Sequence, residues 1–359
     1  MQLYETFFIN LPVFRKIYKL ITFYNNMKYN PLGIGDKKLL LDLKDRKILS
    51  ILSQDSRESK NIIAKKVGLS RDAVKYRIKN YERIGLIQGY KTLITLNKFG
   101  YNAYHIFIKL NNPSKEKELL LINRIKKLAY VRAILKMIGR FDLEIAFVAK
   151  NTLDLDKNLN DILNLCSNYI EDYELLTISK SIISKVFPDS FLKVDENYRE
   201  IKDTEKEPDK KDTDILKLIS EKADLPLYEI GDKLKTSADS VAYRIKNMQD
   251  SGTIVKFIPA INYATIDYNL QILLVNIKEL NKQSEKKFED FIKNTANSLW
   301  VVKTIGKFNY LIYILVRKIE ETQEVITSLK SSFPEQIGSC EAFVAIEEYK
   351  YLHFPTNLF

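Results

Sequence analysis

The residues best placed to do chemistry sit in one eleven-residue stretch, Ser70 to Asn80, which reads SRDAVKYRIKN. Wound as a helix, it turns Val74, Ile78 and the following Tyr81 to one face. Arg71, Lys75, Arg77 and Lys79 are then expected on the outer side. Long cations so presented reach phosphate oxygens or guanine edges in a major groove, and the hydroxyls of Ser70 and Tyr76 add hydrogen-bonding groups. This is the chemistry of recognition, not of bond-making. No Walker loop, CxxC or HExxH pattern occurs elsewhere. The two histidines, His105 and His353, and the two cysteines, Cys166 and Cys340, are isolated from one another. That is too few for a disulfide framework or a cysteine metal site, and thiols in a reducing cytoplasm are the reading. No catalytic residue, metal or cofactor is expected.

The stretch recurs. SADSVAYRIKN, Ser237 to Asn247, repeats it at an offset of 167 residues, with YRIKN identical. The same offset carries Asp45 to Asp212, Ile48 to Ile215, Gly85 to Gly252, Gly139 to Gly306 and Phe187-Pro188 to Phe354-Pro355. A repeat of this length sets the architecture: two tandem halves. In each, apolar residues at helical spacing precede the motif. Ile48, Leu49, Ile51 and Leu52 belong to a first helix with Asp45 in its first turn. Ser59 caps a second helix, with Ile62, Ile63 and Val67 inward and Gly68 closing it. Ser70 caps the third. Two helices joined by a short glycine turn are a helix-turn-helix signature. LIQGYKTLITLN follows as β-formers, either a wing or a connector.

The chain has 359 residues, is 45% hydrophobic and carries a formal charge of +11. The surplus is concentrated: residues 41–100 hold 14 Lys/Arg and 6 Asp/Glu, against 9 and 10 in residues 208–267. A basic patch in a small helical domain points to nucleic acid. No run approaches the ~18 apolar residues of a membrane span. Residues 1–40 form an N-terminal extension in which Phe7, Leu11, Phe14, Tyr18 and Ile21 share a helical face. That face suits a membrane surface, a partner or internal docking; an upstream extension ahead of Met27 is the other reading.

Past residue 101 the pattern reads strand, helix, strand, strand, helix, strand up to residue 188. This is the β-α-β-β-α-β order of a ferredoxin-like domain. Residues 189–211 form a charged linker. Residues 212–267 repeat the helix-turn-helix, and 268–359 repeat the sheet domain. The fold class is α+β: two winged helix-turn-helix domains alternating with two ferredoxin-like βαββαβ domains.

LDLKDRKILSIL, then AKKVGLSRDAVKYRIKNYERIGLIQGY, then a β-α-β-β-α-β domain with a G-x-x-D turn, resembles the Lrp/AsnC family of transcription regulators. The likeness covers residues 41–187 well and 212–355 more weakly. It implies a cytoplasmic protein whose helix-turn-helix binds double-stranded DNA. It also implies a sheet domain that dimerises and takes an amino acid or similar small molecule near the turn, here Gly139, Arg140, Phe141 and Asp142. Such proteins normally carry one unit per chain. Two units imply an intramolecular pseudo-dimer, with or without higher assembly.

The second half departs from the first. Arg71 becomes Ala238 and Lys75 becomes Ala242, leaving Arg244 and Lys246 as cations. Gly68 becomes Lys235, which puts the tight turn in question, and Asp142 becomes Asn309 in the turn opened by Gly306. The second copy reads a weak half-site or serves as a structural partner. Both Gly turns are also readable as plain β-turns, and Glu144 as a solvent-facing charge. Two rivals to a regulator stand beside it: an enzyme resembling the siroheme decarboxylases, which pair two unlike Lrp/AsnC-like subunits, and a metabolite-sensing scaffold that does not bind DNA.

Overall fold

The computed structural model describes residues 40–192, 207–278, 281–355 and 358. The amphipathic face at Phe7 to Ile21 and most of the charged linker lie outside them.

Each half opens with three helices. The first half has α1 (Leu43–Gln54), α2 (Lys60–Val67) and α3 (Arg71–Arg83). Asp42 caps α1 in a reciprocal box with Asp45, Ser59 caps α2 through the Ile62 N–H, and Ser70 caps α3 through the Ala73 N–H. These contacts satisfy amides that a helix start leaves open. Gly68 ends α2 at φ 66, the left-handed conformation glycine adopts without strain. Ile48, Leu49, Leu52, Ile63, Val67, Val74 and Ile78 are buried as their spacing predicts. Ile62, expected inward, is 44% exposed, because only Ile63 and Val67 of that set lie on the core side of so short a helix.

Strand β1 (Ile87–Ile94) follows, then a 3-10 turn, Leu96–Phe99. The ferredoxin-like unit comprises β2 (Asn102–Leu110), α4 (Lys115–Lys126), β3 (Val131–Ile138), β4 (Leu143–Ala149), α5 (Thr152–Cys166) and β5 (Ile170–Ser184). The second half repeats the order. Its helices are α6 (Lys210–Glu221), α7 (Leu227–Leu234) and α8 (Ala238–Asp250), followed by β6 (Ile254–Ile261). Then come β7 (Asn269–Ile277), α9 (Lys282–Lys293), β8 (Ser298–Ile305), β9 (Tyr310–Val316), α10 (Ile319–Ser332) and β10 (Ile337–Tyr351).

The halves are joined by strands. Among the described residues no wing hairpin forms within a copy; β1 pairs antiparallel with β6 of the other half, so the segment after Gly85 is a connector. Below it, β5 pairs with β8 and β10 with β3, closing one eight-stranded barrel of order β10-β3-β4-β2-β5-β8-β9-β7. Closure removes the free edges that an isolated four-stranded sheet would expose. Strand alternation then buries both faces of the central strands β4 and β9, while β5 and β10 stay partly exposed along the seams. Ile106, Ile108, Ile134 and Ile145 pack outward under α4 and α5, and Leu273, Val275, Ile312 and Ile314 under α9 and α10. Phe107, Phe141 and Phe343 meet in the lumen, with ring centroids 5.9–6.4 Å apart.

The glycine turns dock across the seam. A Cβ on Gly139 (φ 154) would lie 2.5 Å from the Phe343 ring; one on Gly306 (φ 148) would lie 2.9 Å from the Leu175 carbonyl oxygen. The turn between α7 and α8 survives without glycine. Lys235 itself adopts φ 54, and the Thr236 N–H donates to the Gly231 carbonyl at 2.9 Å, as Leu69 does to Ala64 in the first copy.

Candidate nucleic-acid interface

Helix α3 has a sharply divided surface. Val74, Ile78 and Tyr81 are buried, and Tyr81 donates to Asp45 Oδ1 at 2.6 Å. Arg71, Lys75, Tyr76 and Lys79 are exposed, Tyr76 by 73%. Among the described residues, Arg71, Lys75 and Lys79 form no ion pair. Three cations on two turns, held by a rigid cap and a packed back face, can meet a phosphate-lined groove at little ordering cost.

Two of the expected cations behave differently. Arg77 turns back to α1, where its guanidinium lies 2.9 Å from Asp42 Oδ2 and also pairs with Asp45. The carboxylates hold the guanidinium protonated still more firmly than usual, and the hydrogen bond from Arg77 helps keep the Asp42 carboxyl below its ordinary range, after the larger contribution of the Asp45 backbone N–H. Arg244 repeats the arrangement with Asp209 (2.8 Å) and Asp212 (2.7 Å). Both arginines thus clamp the third helix to the first, and neither stands on the open face. Ser70 is likewise engaged as a cap. Lys246 is exposed on α8 beside Tyr243, which is 68% exposed.

The two heads are locked to each other. Ser56 N–H donates to the Phe257 carbonyl (3.0 Å) and Ala223 N–H to the Tyr90 carbonyl (3.2 Å). Arg57 Nε and Nη2 donate to the Ala223 and Leu225 carbonyls at 2.6 and 2.7 Å, with the guanidinium 5.0 Å from the Phe257 ring centroid. The β1–β6 ladder runs beneath.

The expected ligand turns have a structural task. Asp142 Oδ2 accepts the Leu110 N–H at 2.8 Å and lies 3.7 Å from Lys109 Nζ. Asn309 Oδ1 accepts the Ile277 N–H at 2.5 Å, so the amide replaces the carboxylate in tying off a strand end. Arg140 crosses the seam, bonding Asp172 (2.9 Å) and Glu341 (3.1 Å). Phe141 is fully buried.

Sequence reasoning missed a polar group inside the barrel. Glu144 does not face solvent; it is 2% exposed in the lumen. Its Oε1 lies 2.6 Å from His105 Nδ1 and accepts the Tyr313 hydroxyl from the other half. Burial beside this carboxylate drives the Tyr313 hydroxyl well above its usual pKa. The Trp300 ring lies tilted against both neighbours, its centroid 5.0 Å from that of Tyr313 and 5.6 Å from that of His105. Under the 167 offset their counterparts are Leu311, Ile272, Ala146 and Ala133, so the cluster exists once. That break in the repeat was the signal available in the sequence.

A family model described as winged helix-turn-helix DNA-binding matches residues 41–88 and again 208–255. Among curated relatives, the HTH-type transcriptional regulator LrpA of Pyrococcus abyssi is 34% identical over 116 residues, 32% of this chain and 81% of its own length. An uncharacterized HTH-type transcriptional regulator of Pyrococcus furiosus is 31% identical over 123 residues, 34% of this chain and 79% of its own. Among solved structures, the siroheme decarboxylase NirDL shares the fold, with TM-score 0.58 and 12% identity, covering 86% of this chain and 92% of that one. Among the described residues, no helix is long and apolar enough to cross a membrane. Two heads matching the winged helix-turn-helix model, on paired ferredoxin-like domains and with regulators as relatives, make this a DNA-binding transcription regulator: the chain belongs to the Lrp/AsnC family and carries that family's unit twice.

Proposed function

We propose that the chain acts as a single-chain pseudo-dimer that binds double-stranded DNA chiefly through the exposed face of α3, with Arg71, Lys75, Tyr76 and Lys79 as contacts and Lys246 as a weaker one. The observation that carries this is the exposed cation set on α3, which forms no ion pair among the described residues. Arg77 and Arg244 set helix posture, and Ser70 acts through its cap. The working units are residues 41–100, 101–188, 212–267 and 268–359. A cytoplasmic site of action fits a DNA partner, and an amino acid or similar small molecule at the Gly139–Asp142 turn would be the effector. Asp142, a carboxylate whose Oδ2 serves both the Leu110 N–H and Lys109, suits an ammonium group better than the neutral amide of Asn309 does.

Fluorescence anisotropy against duplexes selected from a random pool tests this. Wild type should bind with a steep salt dependence. Lys79→Ala should lower the slope of log K against log salt by about one, at ~0.9 per phosphate contact. Salt-independent binding, or none to any selected duplex, refutes the reading. The second reading, an enzyme of siroheme-decarboxylase type, draws on the likeness in fold across both halves. It predicts a shifted Soret band when siroheme is added to the purified protein; the regulator reading predicts none.

A further inference from the structure

The two heads share a scaffold and differ at the positions that would enter a groove. Ser70 and Ser237 cap the third helices in the same way, and Tyr76 and Tyr243 are similarly exposed. Yet Arg71 and Lys75 correspond to Ala238 and Ala242. Over α2 and α3, residues 60–83, there are eight Lys/Arg and two Asp/Glu; over α7 and α8, residues 227–250, there are four of each. Glu229 and Asp232 replace Ile62 and Lys65, which sets carboxylates where the first head offers a cation. The difference is one of chemical kind. Guanidinium and ammonium groups on the first turns of a recognition helix read guanine O6 and N7. Alanine methyls at the same depth contact the thymine 5-methyl, and the neutral head gains little from counterion release. Neither head can exchange places with the other, because the β1–β6 ladder and the Arg57 contacts fix them within one chain.

We propose that the protein reads one asymmetric operator: a guanine-bearing half under α3 and a thymine-bearing half under α8, where Ala238 and Ala242 pack on base methyls and Lys246 meets a phosphate. This rests on the DNA-binding reading above. A dimer of identical chains is restricted to palindromes by its symmetry; two unlike heads on one chain are not.

The test uses the full chain and duplexes selected from a random pool. The enriched site should be non-palindromic. Lys75→Ala should relax base preference in one half only, which assigns that half to α3. Inverted repeats built from either half at the original spacing should bind at least tenfold more weakly, several mismatched pairs being introduced in each. Replacing thymine by deoxyuridine, which removes only the methyl, should weaken binding severalfold in the α8 half and leave the α3 half unchanged. Ala238→Arg/Ala242→Lys should move the base preference of the α8 half from thymine toward guanine. A palindromic enriched site overturns the proposal and leaves the regulator reading intact, as does equal sensitivity of both halves to deoxyuridine. Failure to enrich any duplex in a salt-dependent manner overturns both.

Discussion

The lumen cluster yields a quantitative prediction. Tyr313→Phe removes the hydroxyl that donates to Glu144 and leaves the ring in place beside Trp300. Glu144 is 2% exposed and its Oε2 has no hydrogen-bond partner among the described residues, so the carboxylate relies on Oε1. Losing one hydrogen bond to a buried charged acceptor costs about 1.5–3 kcal/mol. In a Glu144→Leu background the hydroxyl has no carboxylate to serve, and the same substitution should cost close to nothing. The coupling energy should therefore be about 2 kcal/mol. The triple variant Glu144→Leu/His105→Ile/Tyr313→Phe places apolar groups throughout, with leucine and isoleucine as at Leu311 and Ile272. It should come within about 1 kcal/mol of wild type or exceed it, as buried ionic groups replaced by packed apolar ones often do. Urea unfolding followed by Trp300, the chain's single tryptophan, reads the cluster directly. If Tyr313→Phe costs the same in both backgrounds, within ~0.5 kcal/mol, the cluster is not an energetic unit and the reasoning fails.

Three further outcomes are expected. Arg77→Ala should lower thermal stability, by about 1 kcal/mol for a partly exposed two-carboxylate pair, whereas Lys75→Ala should leave melting unchanged and weaken DNA binding; the opposite assignment would show that Arg77 is the contact. Gly306→Ala should destabilise more than Gly139→Ala, because the added Cβ meets the Leu175 backbone in the first case and a side-chain ring in the second, and equal urea midpoints would contradict this. Burial pushes the Glu348 carboxyl up to about 7. A raised folded-state pKa means the neutral form is favoured in the folded protein, so stability present below pH ~4.5 is lost as pH rises toward and through 7. Glu348→Gln should flatten that decline, and parallel stability–pH curves for variant and wild type would count against it.

The helix-turn-helix was readable because its determinants are local. Caps at Ser59 and Ser70, the turn at Gly68 and the spacing of Val74, Ile78 and Tyr81 act within a few residues of each other. The fate of Arg77 was not local: its partners lie 35 and 32 residues earlier. Lys235 was a fair doubt on propensity alone. The turn is nevertheless kept, with the Thr236 N–H bonded to the Gly231 carbonyl. Glu144 looked like a surface charge because a single ferredoxin-like sheet leaves one face open. Only the pairing of β5 with β8 and β10 with β3 turns that face into an interior. The connector strand was ambiguous for the same reason, since its partner strand begins at Ile254, in the other half of the chain.

The intramolecular β1–β6 ladder also changes how occupancy responds to expression level. Where two identical subunits must first meet, the competent species at low abundance grows with the square of subunit concentration, and halving synthesis quarters it. Under the proposed single-chain reading the heads are already joined, so the competent species would grow in direct proportion to the number of chains made. A regulator working as one such chain would respond linearly to its own dosage and keep its heads paired even at a few copies per cell.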